Sequence, residues 1–378
     1  VRVIVVGAGI IGVSVADALA ARGAAATVLD VRAAGQGASQ ASAGMLAPFT
    51  EAHGDSGLLR LTTRSLALFD DWVNGLNADG RAVEYARTGT LEVAFDEHGA
   101  NRLTAAKGAL DALGVSSELL DGTEVRSREP GTSASVCRGL LIHPHGFVRV
   151  DSLIAALAHR ARFAGATVET PAEAVAIDSR GEDVAVHVDG RTERAEAVVI
   201  AAGAWSGKVK VAGVSPLPVR PVRGQLLHLG WTDRSRPSRI VWGPRCYTVP
   251  WSDGSVLVGA TVEEAGFDES ATVEGVRELA AAAVELLPGA ARARFDAVRV
   301  GLRPALPDGL PAIGPLAAAP RVVVATGHYR NGVLLAPVTA EMVANYLVGG
   351  VMDEMFPITA PDRFSTGPSS PSRARIRA

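Results

Sequence analysis

The sequence predicts a mixed α/β (α+β) protein in which a parallel, helix-flanked domain is interleaved with a strand-rich one. Three observations carry this. The first thirty residues read as a complete strand–helix–strand unit with a glycine-rich first turn. The middle of the chain is dominated by short runs rich in β-branched residues. The last part returns to a buried strand, a loop and a long apolar helix.

The elements follow in order. Val1–Val6 is a short apolar run, read as a buried parallel strand. Val13–Arg22 spaces Ala and Leu at helical intervals and stops at Gly23; Ala25–Asp30 is the next strand. Ser56–Asn77 is helical through Leu58, Leu61, Leu66, Leu68, Phe69 and Trp72. Tyr85–Phe95 alternates as one strand, and Asn101–Leu113 is helical. Asp151–Phe163 is a helix, with Asp151 placed as its N-cap. Short strands follow at Thr167–Glu169, Ala174–Asp178, Val184–Val188 and Ala197–Ala201, then at Leu217–Leu229, Ile240–Pro250 and Val256–Gly259. Thr272–Leu287 is a helix ended by Pro288-Gly289, Val322–Ala325 a buried strand, and Leu334–Val348 the last helix.

Composition narrows the function. The 378 residues suffice for about two domains. A 48% apolar, 20% charged make-up is that of a globular protein. The net charge of -3 argues against a nucleic-acid partner. Apolar runs are broken by Gly, Arg or Asp before the ~18 residues of a membrane span, and no leader pattern is visible. Two cysteines, Cys137 and Cys246, rule out a disulfide framework and fit a reducing cytoplasm; both read as plain buried thiols. His143-Pro-His145 lacks a third ligand, so no metal is expected. The tail 365–378 (STGPSSPSRARIRA) reads as disordered. A homo-oligomer is left open.

Gly7, Gly9 and Gly12 form G-x-G-x-x-G between a strand and a helix. The first permits the turn, the second admits a pyrophosphate and the third lets helix and strand pack closely. Asp30, ending the second strand, suits the adenosine ribose hydroxyls. This is a Rossmann-type dinucleotide site, and three features favour FAD over NAD. The motif is N-terminal; Ala38–Met45 is a second small-residue stretch with Ser39 and Ser42; and Val198–Trp205 is a far strand ending in small residues at Gly203.

Eight segments carry a family resemblance: GAGIIG (7–12), SAGMLAP (42–48), AAGAWSG (201–207), PVRGQLLHL (221–229), CYTVP (246–250), LVGATVEEAGFD (257–268), GLRPALPDGLPAIG (301–314) and GHYRNGVLLAP (327–337). Over about residues 1–350 the chain resembles the D-amino-acid-oxidase-type FAD-dependent oxidoreductases, and within them the glycine-oxidase branch linked to thiamine biosynthesis. The resemblance implies non-covalent FAD held by Gly7, Gly9, Ile10, Ile11, Gly12, Asp30 and Val31. Further contacts fall at Ser39, Ala43, Gly44, Met45, Ala174, Val175, Ala202, Gly203 and Trp205. His328, Tyr329, Arg330, Asn331, Gly332, Val333 and Leu334 would wrap the flavin.

For the substrate, the resemblance implies that Arg303 binds a carboxylate and Tyr247 adds a hydrogen bond. Their chemistry agrees, since a guanidinium fork matches a carboxylate bidentately and a phenol donates beside it. The alternative for Arg303 is a structural arginine that pairs with Asp308 or with a backbone carbonyl. Arg330 adds positive charge near ring or substrate, and Met45 and Val262 are further pocket candidates. The partners implied are a small amino acid and dioxygen. The activity implied is oxidation of glycine or another small amine by hydride transfer to FAD, with imine or glyoxylate, ammonia and hydrogen peroxide as products. A broader D-amino-acid or sarcosine oxidase or dehydrogenase is the alternative. The motif positions imply a discontinuous FAD-binding domain (1–50, 145–215, 303–364) and a substrate-binding domain (51–144, 216–302).

Overall fold

The computed structural model describes residues 1–51 and 56–364; the tail expected to be disordered lies outside the described residues. Its first layer is a six-stranded sheet in the order Ala312–Leu316, Ala319–Thr326, Ala197–Ile200, Arg2–Val6, Ala25–Leu29, Thr167–Glu169. All neighbours pair in parallel except the Ala312–Leu316 edge, which is antiparallel. Arg2–Val6 lies at the centre, between Ala197–Ile200 and Ala25–Leu29. Nearly every residue of these inner strands is buried, which is why they read as continuous apolar runs. The strands come from three separated stretches of chain.

Helices Ile10–Ala20, Val150–Phe163 and Gly332–Gly349 pack on this sheet through Val13, Leu19, Leu153, Leu335 and Val343. Helix Gly57–Ala78, capped by the Ser56 hydroxyl, joins them through Leu61, Phe69 and Val73. It therefore belongs to the core of the six-stranded layer, although it falls within the stretch 51–144 expected on the substrate side. Gly332–Gly349 is, among the described residues, the one helix long and apolar enough to cross a membrane by length and composition. Reading only uninterrupted apolar runs passes over it. Here Val333–Ala340 and Met342–Ala344 are buried in the core.

The second large sheet has eight strands, in the order Arg294–Ala305, Arg220–Gly230, Ser255–Gly259, Tyr247–Pro250, Ile240–Trp242, Thr90–Ala94, Arg138–Ile142, Ser117–Asp121. Its longest pairing runs from Arg220↔Ala305 to Gly230↔Arg294. The boundary expected at 302/303 falls inside this continuous strand.

Three local expectations are corrected. Tyr85–Phe95 is two strands, Tyr85–Ala86 and Thr90–Ala94, in different sheets; Gly89 turns the chain between them at φ +79°. Ile240–Pro250 is likewise a hairpin, Ile240–Trp242 and Tyr247–Pro250. Asp151 is not the N-cap: helix Val150–Phe163 is preceded by extended Arg149, and Asp151 sits in its first turn, where its charge suits the helix dipole. Ser117–Asp121 and Arg191–Ala195 were not readable as strands, because both are polar edge strands with little apolar alternation.

Candidate active site

The carboxyl ends of the central parallel strands open onto one cavity of about 700 Å3, where ligands of open α/β sheets bind. The glycine motif forms its floor by close approach. A Cβ on Gly7 would lie 2.4 Å from Ala201 O, and one on Gly12 only 1.8 Å from Gly7 O. Gly12 does not line the cavity; it lets the Ile10–Ala20 helix start immediately beside the turn. Ser39 Oγ accepts the Ile10 N–H at 3.0 Å, tying the second small-residue stretch to the helix N-terminus. The Asp30 carboxylate accepts from Ala8 N–H at 2.6 Å and from Arg32 N–H at 2.9 Å. It lines the cavity beside Val31, Ala174 and Val175.

At the other end, Arg303 and Tyr247 share a wall. Arg303 Nη1 donates to Thr261 O at 2.9 Å. The guanidinium lies over Gly224, where a Cβ would be 2.2 Å from Nη2. The Tyr247 ring lies over Gly259 in the same way, 2.4 Å from that glycine's would-be Cβ, and tilts against Trp242 at 5.2 Å. Asp308 is engaged by Arg363 at 2.7 Å.

The loop before the last long helix closes this end. Tyr329 adopts a left-handed conformation (φ +51°) and its N–H donates to Pro304 O at 2.9 Å. Such a conformation costs an ordinary residue about 1–3 kcal/mol and persists where surrounding contacts fix it. The turn aims the N-terminus of Gly332–Gly349 at the cavity, so Asn331, Gly332 and Val333 line it and negative charge is favoured there. Arg330 lines it too, its guanidinium 5.8 Å from the Trp242 ring centroid. His328 Nε2 pairs with Thr339 Oγ1 at 3.0 Å, and burial pushes its pKa down to about 3. A ring whose basicity is suppressed by burial and whose Nε2 is tied to the helix is a poor base for a substrate Cα.

The cavity brings together Ile10, Ile11, Ala43, Gly44, Met45, Ala202, Gly203 and Trp205 with the residues above. It leaves out three. Val262 is 42% exposed and lies off the cavity, because its strand ends at Gly259. Leu334 is in the core, its carbonyl accepting from the Ser65 hydroxyl at 2.6 Å. Gly12 serves packing, as described. Cys137 is exposed, not buried, because it stands just before the Arg138–Ile142 strand. Cys246 is buried, with its thiol pushed up to about 12 by desolvation; neither cysteine lines the cavity. His143 faces Glu118 at 2.8 Å, while His145 is buried and stacked on Phe49, so the two do not converge on a metal. Sequence reasoning missed Arg32, Glu173, Lys208, Lys210 and Trp242, all on the lining. Arg32, two residues past the ribose acid, was the one with a usable signal.

Burial also holds His145 down, to about 3. Both imidazoles are therefore neutral when folded and charge near pH 6.5 when unfolded. Stability is full above pH 6.5 and is lost as pH falls from there toward 3, by about 1.4 kcal/mol per pH unit per histidine. Urea unfolding at pH 7.5 and 5.5 should show this loss, and His145→Gln should lessen it.

The geometry defines a class: a dinucleotide-binding α/β protein whose cavity runs from a glycine turn and an acidic residue to an arginine and a tyrosine. The chain belongs to the FAD dependent oxidoreductase family (DAO), which matches residues 2–346. It is 33% identical over 348 residues to a glycine oxidase of Bacillus licheniformis, covering 92% of each chain. The crystal structure of glycine oxidase from Geobacillus kaustophilus superposes with a TM-score of 0.90 at 32% identity, over 96% of this chain and 99% of that one. The chain is also 31% identical to the bifunctional protein ThiO/ThiG of Synechocystis sp., covering 98% of this chain but 55% of that protein.

FAD is the cofactor, and the residues present fit it. The Asp30 carboxylate stands at one end of a single cavity and the Arg303 guanidinium and Tyr247 ring at the other, with two helix N-termini opening onto it.

Proposed function

We propose that the chain oxidises a small amino acid, glycine first, to the imine. The observation that supports this is Arg303 and Tyr247 on one wall, facing the loop and helix N-terminus that would hold the flavin. In this reading Asp30 and the glycine turn hold the adenosine and pyrophosphate, and residues 328–333 hold the ring. Bound FAD would supply the hydride acceptor and pass the electrons to dioxygen. The chain's own groups bind, orient and exclude water. Arg303 Nη1 is anchored to Thr261 O, so the guanidinium is fixed before a carboxylate arrives. Tyr247 adds a neutral donor from a buried position. The amine gives up its proton to solvent on entering beside Arg303 and Arg330. The carboxylates on the lining, Asp30 and Glu173, stand with Val31 and Ala174, and the one histidine there is too weakly basic and is engaged by Thr339. Orientation of the Cα–H, rather than a side-chain base, is therefore the protein's contribution.

The imine then hydrolyses to glyoxylate and ammonia, or is consumed in making the thiazole of thiamine, a role in keeping with likeness to the ThiO/ThiG protein. The oxidase and its peroxide are tested together. The purified protein should absorb near ~450 nm, as flavins do, and anaerobic glycine should bleach that band. Peroxide should form on admitting air. Bleaching by D-alanine or sarcosine but not by glycine would move the substrate; no bleaching by any of the three would sink the reading.

A further inference from the structure

We propose that the loop 260–272, and Phe267 and Glu269 in particular, is a strap that retains FAD, completing from the eight-stranded sheet the outer wall of the adenosine end. The loop joins strand Ser255–Gly259 to helix Val273–Leu286. The loop is stapled to its own sheet at Glu263 and again at Asp268, between Phe267 and Glu269. Arg223, almost fully buried, donates to Glu263 at 2.6 Å and to Asp268 at 2.6 Å. The side chains on either side of Asp268 cross to the six-stranded layer. Glu269 takes both arms of Arg32, at 2.9 and 2.7 Å. The same Arg32 guanidinium stacks over Trp205 at 4.7 Å, and Trp205 meets Phe267 at 5.7 Å. The Lys208 ammonium lies 3.5 Å from the Phe267 ring centroid.

Arg32, Trp205 and Lys208 all line the cavity; Phe267 and Glu269 do not. The strap residues are therefore positioning residues: they hold three lining side chains that would touch the cofactor. Arg32 follows Asp30 by two residues and is tied to it through its backbone N–H, which fixes the clasp at the ribose acid. Glu269 also neutralises Arg32 and, by its hydrogen bonds, raises that guanidinium's pKa. A ligand leaving by this side must part an ion pair and a tilted aromatic contact that bridge to the six-stranded layer. The pair is only partly exposed, so its contribution is screened by salt without being abolished.

The test is the rate of FAD release from holoenzyme after dilution, followed by the rise of flavin fluorescence, with heat-denatured protein setting full release. Wild-type release should accelerate with added salt. Glu269→Gln should release FAD about tenfold faster at low salt and show little further response to salt. Glu269→Asp should fall between the two. Phe267→Ala, which keeps the ion pair, should be several-fold faster and remain salt-sensitive. Glu264→Gln, in the same loop but paired with exposed Arg220, should release FAD as wild type does. Wild-type release in both Glu269→Gln and Phe267→Ala would overturn the strap. So would equal acceleration in Glu264→Gln, which would mean general loosening. Flavin remaining on the denatured chain would overturn it as well, by showing covalent attachment. None of these readouts needs the substrate, so they stand apart from the glycine test.

Discussion

Arg303→Ala should lower kcat/KM for glycine by about a hundredfold to ten-thousandfold, mostly through KM, while flavin content stays at the wild-type level. The magnitude follows from losing two charge-assisted hydrogen bonds, at about 1.5–3 kcal/mol each. Flavin content is spared because Gly7, Asp30 and Ala174, which would hold the adenosine end, line the cavity from other parts of the chain. Steady-state peroxide release and the flavin-to-protein absorbance ratio check both halves. Wild-type affinity for glycine in this variant would sink the assignment of the carboxylate. A companion substitution makes the test sharper without touching the arginine. In Gly224→Ala the new methyl would stand 2.2–2.5 Å from the guanidinium atoms. The end of an arginine can swing away, so the fold survives and the clamp does not. Misplacement of that kind costs about tenfold to a hundredfold. Equal activity in Gly224→Ala would show that the guanidinium is not used where it lies.

Gly12→Ala should do the reverse, removing the cofactor rather than the substrate. Its methyl would meet Gly7 O at 1.8 Å, and neither atom is at a flexible end. The first turn of the Ile10–Ala20 helix must back away from the glycine turn, at about 3 kcal/mol or more. Purified protein should carry little flavin and melt about 5 °C or more below wild type. A melting curve and the same absorbance ratio decide it. A fully yellow, fully stable Gly12→Ala protein would show that the helix start tolerates displacement.

These two expectations differ in how far the sequence alone could reach them. The role of Gly12 was readable because strand, turn and helix are consecutive and their spacing is fixed by local geometry. The role of Gly224 was not. It depends on strands Arg220–Gly230 and Arg294–Ala305 pairing some eighty residues apart, with Val222 opposite Arg303. Pairing partners leave no trace in periodicity. The same cause hid the clasp, since Arg32 and Glu269 are separated by most of the chain. Alternation misled where it ran through a turn: Tyr85–Phe95 keeps a period of two across Gly89, yet the chain changes sheet there. Val262 was placed in the pocket for its apolar side chain, but the strand ends before it and the loop carries it outward. Arg303, Tyr247 and Arg330 were named from motif segments, and the cavity gathers all three.

The Arg294–Ala305 strand has a practical consequence for anyone wishing to redirect this catalyst. It is paired along its length to Arg220–Gly230, and Pro304 O receives the Tyr329 N–H, so clamp and closing loop are locked to one another. Two lining residues packed in the same cluster as Tyr247 are held differently. Met45 rides on a two-residue strand and Trp242 ends a three-residue one. A directed-evolution library on the clamp side would ask whether any amino acid is held at all. One at Met45, Ala47 and Trp242 would ask which amino acid, and it is there that new amine scope should be sought.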